Sequence, residues 1–216
     1  MKPLGKVKIQ WSPEFAYAIG LLVTDGCLYG DGRHINLTSK DKEQIKNFLW
    51  CLKLNNKIGM KHNGARSARS FTVQFGDIVF YRFLNSIGVN PRKSKTIADI
   101  KIPNEYFFDF LRGHFDGDGT FYSYFDPRWK SSYLFYTVFA SASGTHINWL
   151  RDKIFRALKL KGHISKSVSD PTYKLKYAKT ESLKLLPRLY YNAKVVCLSR
   201  KRRIVKTALA VINKKL

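Results

Sequence analysis

The chain is built on a repeat. Phe71-Thr72-Val73-Gln74-Phe75 and Tyr173-Lys174-Leu175-Lys176-Tyr177 alternate apolar and polar residues in step, 102 positions apart, and Leu52-Lys53-Leu54 returns as Leu158-Lys159-Leu160, 106 positions apart. The four extra residues amount to about one helical turn inserted between the two. Pro91-Arg92-Lys93-Ser94 is echoed by Ser199-Arg200-Lys201-Arg202. Self-similarity at a fixed period means one supersecondary unit used twice. In the first copy, Ser12-Pro13-Glu14 supplies an N-cap, a proline for the first helical position and an acid for the first turn. The helix that follows, through Thr24, is nearly all apolar or small and is expected to be buried on most sides. Strands are expected near residues 33–39, 57–62 and 71–75, and helices over 41–54 and 78–87. In the second copy a helix runs from Pro103-Asn104-Glu105 to Phe115, strands fall near 120–124, 133–141, 163–167 and 173–177, and helices occupy 146–158 and the remainder. The fold class implied is α+β: two pseudo-symmetric αββαββα repeats, 1–100 and 101–216, packed through their first helices about a pseudo-twofold axis.

Both first helices end in the same way, as Gly20…Asp25-Gly26 and Gly113…Asp118-Gly119. The first glycine of each would let two helices approach backbone to backbone, and the last suits the left-handed position that ends a helix. Asp25 and Asp118 then sit at the negative end of a macrodipole, which disfavours a carboxylate by roughly 0.3–1 kcal/mol. About a twofold axis they would also repel each other. A divalent cation gives such an arrangement a purpose, because paired carboxylates with open coordination positions suit Mg²⁺. A calcium loop at Asp116-Gly117-Asp118-Gly119 fails, since its sixth position is Phe121 and its twelfth is Pro127.

Charge points the same way. The 39 Lys+Arg against 15 Asp+Glu give a formal charge of +24, with 16 basic and 7 acidic residues in the first hundred and 23 against 8 after it. A surplus spread over both copies fits a long polyanion, nucleic acid first. The run from Lys194 to Leu216 holds eight Lys/Arg and no acid, which reads as phosphate contact on a helix flank or a solvated tail. Three cysteines without a C-x-x-C spacing speak against a zinc finger and a disulfide scaffold. No apolar run approaches the ~18 residues that span a bilayer, and the basic start lacks the apolar stretch of a signal peptide. The expectation is an intracellular protein of prokaryotic cytoplasm or organelle matrix, without membrane contact.

The stretches Ala18-Ile19-Gly20-Leu21-Leu22-Val23-Thr24-Asp25-Gly26 and Leu111-Arg112-Gly113-His114-Phe115-Asp116-Gly117-Asp118-Gly119 resemble the paired motif of the LAGLIDADG homing endonucleases. The resemblance implies a single-chain, two-motif monomer with a saddle of antiparallel strands over double-stranded DNA and no obligate protein partner. Both motifs end in the required Asp-Gly, so the metal-binding acids fall on Asp25 and Asp118, with the backbone of Thr24 and Gly117 beside them. Mg²⁺ is the implied cofactor, with Mn²⁺ or Ca²⁺ as substitutes in crystals. The implied reaction is metal-dependent hydrolysis of both strands, leaving 5′ phosphates, 3′ hydroxyls and short 3′ overhangs, by a site-specific, intron-encoded enzyme. Lys93 and Lys201 hold the Arg-Lys position late in each repeat where the family places a basic residue near the scissile phosphates. The family's frequent polar Gln matches Asp41 and Ser143 here, a departure, and Val23 stands where many members, like the second motif at Asp116, carry an acid.

Base readout is expected from strand faces, since a β-ribbon enters the major groove and Arg, Gln and Asn read base edges there. Thr72 and Gln74 alternate with apolar neighbours, as do Lys174 and Lys176; Arg33, His34, Asn36 and Thr38 line an early strand; Lys61, His62, Arg66 and Arg69 fall in or near a hairpin; Tyr122, Tyr124, Arg128, Lys130, Lys166 and Ser167 complete the candidates. Competing readings are a LAGLIDADG-derived RNA maturase or non-cleaving DNA-binding protein, and an unrelated basic RNA-binding protein, which leaves the motif pair unexplained. A D-x-K nuclease through Asp99-Ile100-Lys101 rests on one triplet in a basic chain.

Overall fold

A computed structural model describes residues 5–63, 68–166 and 171–216. Helix α1 (Pro13–Asp25) begins where the capping chemistry places it: the Ser12 hydroxyl accepts from the Phe15 amide at 3.1 Å, with Pro13 in the first turn. The chain then runs through β1 (Gly26–Leu28), β2 (His34–Ser39), α2 (Lys42–Cys51), β3 (Gly59–Asn63), β4 (Ala68–Gly76) and α3 (Ile78–Ser86). Two 3-10 turns, Lys93–Lys95 and Asn104–Tyr106, lead into the second copy: α4 (Phe107–Asp118), β5 (Thr120–Phe125), β6 (Tyr133–Ser141), α5 (Gly144–Leu158), β7 (His163–Lys166), β8 (Tyr173–Tyr177), α6 (Lys179–Leu189) and α7 (Ser199–Val211).

The strands form two antiparallel four-stranded sheets with identical connectivity, β1-β2-β4-β3 and β5-β6-β8-β7. Register confirms the repeat: Leu37 lies opposite Val73 as Phe139 lies opposite Leu175, a shift of 102 on both strands. Inward-facing Ile35, Leu37, Val73 and Phe75 in the first sheet, and Phe135, Phe139, Leu175 and Tyr177 in the second, are buried against helices. The opposite faces carry the polar alternates. No helix among the described residues is long and apolar enough to cross a membrane.

Helices α1 and α4 pack together at the centre of the molecule. A Cβ on Gly20 would lie 2.2 Å from the Phe110 carbonyl oxygen and 2.9 Å from the Gly113 Cα, and one on Gly113 would lie 2.1 Å from the Tyr17 carbonyl oxygen. The backbones therefore touch, and no side chain larger than hydrogen fits. The glycines that end these helices do not take the left-handed conformation expected of them. Gly26 (φ −82°, ψ 150°) and Gly119 (φ −80°, ψ 155°) are extended, because β1 and β5 start there without a turn. Space is what requires glycine: a Cβ at either would lie 2.5 Å from the carbonyl oxygen of Leu22 or Phe115.

The left-handed helix stops occur instead in the repeated Leu-Lys-Leu. Lys53 (φ 53°) and Lys159 (φ 57°) each end a helix, α2 and α5, and turn the chain so that Leu52, Leu54 and Leu160 enter the core. A side chain in that region is strained by roughly 1–2 kcal/mol, part of which glycine would relieve. Lys53→Gly and Lys159→Gly are each expected to raise stability by about 0.5–1 kcal/mol, read from the urea midpoint at unchanged slope.

Candidate active site

The backbone contact between α1 and α4 carries their last residues, Asp25 and Asp118, to one place. A Cβ on Gly117 would lie 3.0 Å from Asp25 Oδ2, so the carboxylate of one helix rests across the backbone of the other. Burial raises the Asp25 pKa from 3.8 to about 6, with the Asp118 charge adding to the rise and Gln44, Lys201 and Lys93 opposing it. Burial also raises Asp118, against the pull of Lys201 and Lys93. Gln44, on α2, donates its amide to Asp25 Oδ2 at 2.5 Å, and the Ser39 hydroxyl steadies the other end of that amide at 3.2 Å.

Both candidate lysines reach this place from inside the protein. Lys93 is 6% exposed and gives its ammonium to the Gly26 carbonyl. Lys201, 7% exposed, donates to the carbonyls of Phe115 (2.6 Å), Asp116 (2.8 Å), Gly117 (3.3 Å) and Gly119 (2.6 Å). Each ammonium thus closes the carboxyl end of a motif helix, which offsets the unfavourable dipole there. Burial lowers the pKa of Lys93, and that of Lys201 to about 8.

Each lysine segment is held by a helix of the other copy. The start of α7 is fastened to α2 by Arg200 on Asp41 (2.6 Å), by the Ser199 hydroxyl on Glu43 (2.5 Å) and by the Asn47 amide on the Cys197 carbonyl (3.0 Å). The segment after Lys93 is fastened to α5 by the Ser143 hydroxyl on the Ile97 carbonyl (2.5 Å) and by His146 Nδ1, 2.8 Å from the Ala98 carbonyl. Asp116, 1% exposed, takes the Tyr17 hydroxyl at 2.8 Å and the Leu198 amide at 2.7 Å, tying both motif helices to the approach of α7. Burial lifts its pKa to about 6.

Asp41 and Ser143, the positions matched to the family's Gln, serve as N-caps of α2 and α5 and as fastening points rather than partners of the carboxylates. Gln44, three residues on, is the side chain that reaches Asp25. The N-caps Asp41 and Ser143 keep the same shift of 102, so the position equivalent to Gln44 in the second copy is His146. His146 is fully buried, its ring stacked between His114 (5.3 Å) and Trp149 (5.2 Å), and burial lowers its pKa to about 4. No hydrogen bond reaches the Asp118 carboxylate among the described residues. The two halves of the site are unequal.

Most strand candidates lie on the outer sheet faces. Asn36 is buried and spends its amide on Thr72 (2.9 Å) and the Val73 carbonyl (3.1 Å), with Thr38 on its oxygen (2.9 Å). Gln74 and Lys61 are exposed on the same face, Gln74 taking the Tyr29 hydroxyl at 3.4 Å. Arg33 is exposed and His34 half-buried, with Asp31 accepting from both backbone amides and from the His34 ring. In the second sheet Tyr122 and Tyr124 are exposed and Lys174 and Lys176 half-buried on the outer face. Lys166 pairs in register with Tyr173, at the other parity, and donates to its hydroxyl at 3.2 Å. Arg128 and Lys130 are exposed beyond β5. The backbones of His62 and Arg69 pair in the β3–β4 register, and Arg66 and Ser167 lie outside the described residues. A cavity of about 840 Å³ lies at the opposite end of α1, beside Ser12, Phe15 and Trp50.

The donor set fits a hard divalent cation: two carboxylates brought together at the helix ends, each with its pKa raised by burial. No third His, Cys, Asp or Glu joins them among the described residues, which leaves coordination positions for solvent or substrate.

No protein-family model matches the sequence, and no curated protein does. The fold does have relatives among solved structures. The chain is similar to the meganuclease I-SmaMI bound to uncleaved DNA in the presence of calcium ions (13% identity, 94% of this chain and 92% of that one, TM-score 0.63). It is also similar to I-DmoI in complex with DNA and calcium (12% identity, 89% and 97%, TM-score 0.58). A third likeness is to full-length DUF199/WhiA from Thermatoga maritima (16% identity, 93% of this chain, TM-score 0.57), of whose length the chain spans 63%. The chain therefore has the LAGLIDADG fold, in its single-chain form with two motif copies.

The raised carboxylate pKa values have a consequence for the metal-free protein. A folded-state pKa above the unfolded one lends stability that is complete below pH 3.8 and lost as pH rises through about 6. Asp25→Asn removes that loss. Melting in EDTA at pH 7.5 is expected to show the variant more stable than the parent, by on the order of 1–3 kcal/mol, with the gain shrinking toward pH 4.

Proposed function

We propose that this chain is a site-specific DNA endonuclease of the homing type, acting as a monomer on a long duplex target and encoded within an intron. The observation that carries the reading is the Asp25–Asp118 pair, forced together at two helix ends where protein stability alone would avoid it. The LAGLIDADG neighbours bound to DNA with calcium support it. Residues 1–100 and 101–216 form the two halves, each covering one half of the target with its outer sheet face.

Asp25 and Asp118 would hold the divalent ion, with the carbonyls of Thr24 and Gly117 beside them. Mg²⁺ bound there supplies Lewis-acid charge at the scissile phosphates and lowers the pKa of bound water. The remaining work falls to the chain. Gln44 fixes the orientation of the Asp25 carboxylate. Lys93 and Lys201 hold positive charge beneath the helix ends, where it favours a dianionic pair and, through it, cation binding. The basic residues of the outer faces hold the duplex in register by its phosphates, and Gln74, Arg33 and Lys61 offer donors to base edges. Both strands would be cut to leave 5′ phosphates and 3′ hydroxyls with short 3′ overhangs.

A library of plasmid-borne sites incubated with Mg²⁺, with EDTA as control, tests the assignment. Asp25→Asn and Asp118→Asn are each expected to lower double-strand cutting by at least about 10³-fold while duplex affinity, falling steeply with salt, stays within about threefold. Unchanged cutting in either variant would sink the nuclease reading. Binding without any cutting by the parent chain would instead favour a non-cleaving DNA-binding protein or a maturase of the same fold. Gln44→Ala acts on the first carboxylate alone, so it is expected to let nicked circles accumulate before linear product.

A further inference from the structure

The β5–β6 hairpin is longer than its counterpart in the first copy. Register pairs Thr120 with Val138 here, whereas Gly26 already pairs with Leu37 there. The extension is aromatic and basic by turns and unusually bare: Trp129 is 69% exposed and Phe125 54%. Exposed apolar surface of this kind marks a contact site. Below the tip, Tyr122, Tyr124 and Tyr136 form one stack, with centroids 5.2–6.4 Å apart and planes within 8–23° of parallel. Phe125 leans on Tyr133 at 4.8 Å.

The tip is also held in shape. Asp126 N donates to the Ser132 carbonyl (2.8 Å), Trp129 N to the Asp126 carbonyl (3.1 Å) and Ser132 N to the Trp129 carbonyl (2.7 Å). Arg128 N donates to the Asp126 carboxylate at 2.9 Å. The aromatic surface is therefore presented ready-made, with little ordering left to do on binding. Arg128, its side chain 82% exposed, is paired with the Asp126 carboxylate at 3.2 Å, and exposed Lys130 follows Trp129 with positive charge.

A base inside a duplex offers such rings only its edge, because its neighbours cover both faces. An unpaired base offers a face, and stacking on an aromatic ring is worth enough to hold it. We propose that the β5–β6 hairpin is a stacking platform for unpaired bases of a nucleic-acid strand, with Trp129 and Phe125 taking the bases and Lys130 the adjoining phosphate. The proposal rests on the nucleic-acid part of the reading above and not on cleavage.

The test uses the full chain and three fluorescein-labelled probes, oligo(dT), oligo(rU) and a mixed-sequence duplex, followed by anisotropy at fixed salt. The double variant Phe125→Ala, Trp129→Ala, with circular dichroism to confirm folding, is expected to lose about tenfold in affinity for single strands and less than about twofold for duplex. Trp129→Phe keeps a ring and is expected to keep most of the affinity. The two single-stranded arms tell a DNA source from an RNA one. Absence of single-strand binding by the parent chain, or equal losses on single strand and duplex, overturns the platform. Absence of duplex binding with single-strand binding intact counts against the endonuclease reading and leaves the platform standing.

Discussion

Everything at the centre of this molecule follows from two hydrogen atoms. Gly20 and Gly113 let α1 and α4 run with their backbones touching, and helices that close must end close together. Their last residues are aspartates, so the contact brings two carboxylates and two negative dipole ends into one small volume. The surroundings answer that concentration of charge. Lys93 and Lys201 are drawn inward to the helix-end carbonyls, and the Gln44 amide is turned onto Asp25. The carboxylates still pay in raised pKa. The carboxylates keep raised pKa values even after the protein has supplied two ammonium groups, and this supports the proposal of a bound cation.

The sign of the charge is sorted by depth. The chain as a whole carries +24, yet its centre gathers Asp25, Asp116 and Asp118, and the two lysines there spend their charge on the protein. Exposed positive charge lies on the outer sheet faces, at Lys130 beyond β5 and on the exposed side of α7. A duplex laid along those faces would be drawn in by the periphery and would meet the carboxylates only at one central point.

Much of this was open to reading before any coordinates. The capping residues Ser12 and Pro13 place the start of α1, alternation places β4 and β8, and the paired Asp-Gly steps mark where α1 and α4 end. What stayed hidden has physical causes. The three-residue β1 is too short to show a period. Lysine is so commonly a surface residue that nothing marked Lys93 and Lys201 as buried. Gln44 lies outside the motif and comes to Asp25 only because β2 hands the chain to α2 in a particular register, so matching helix starts by type picked Asp41 and Ser143, three residues early. Gly26 and Gly119 were rightly seen as necessary but for the wrong reason, since close approach to a carbonyl and a left-handed turn demand the same residue.

The fastening of each lysine segment to a helix of the opposite copy bears on how such a chain can change. Asp41 and Glu43 of the first half hold the start of α7 in the second, and Ser143 and His146 of the second hold the segment after Lys93 in the first. Neither half carries a finished set of supports for its own ammonium group. A chimaera that takes one half from a relative would inherit a centre whose braces were fitted to a different partner, even if the helix contact at the two glycines were kept. The braces make each half's central lysine depend on a helix of the other half.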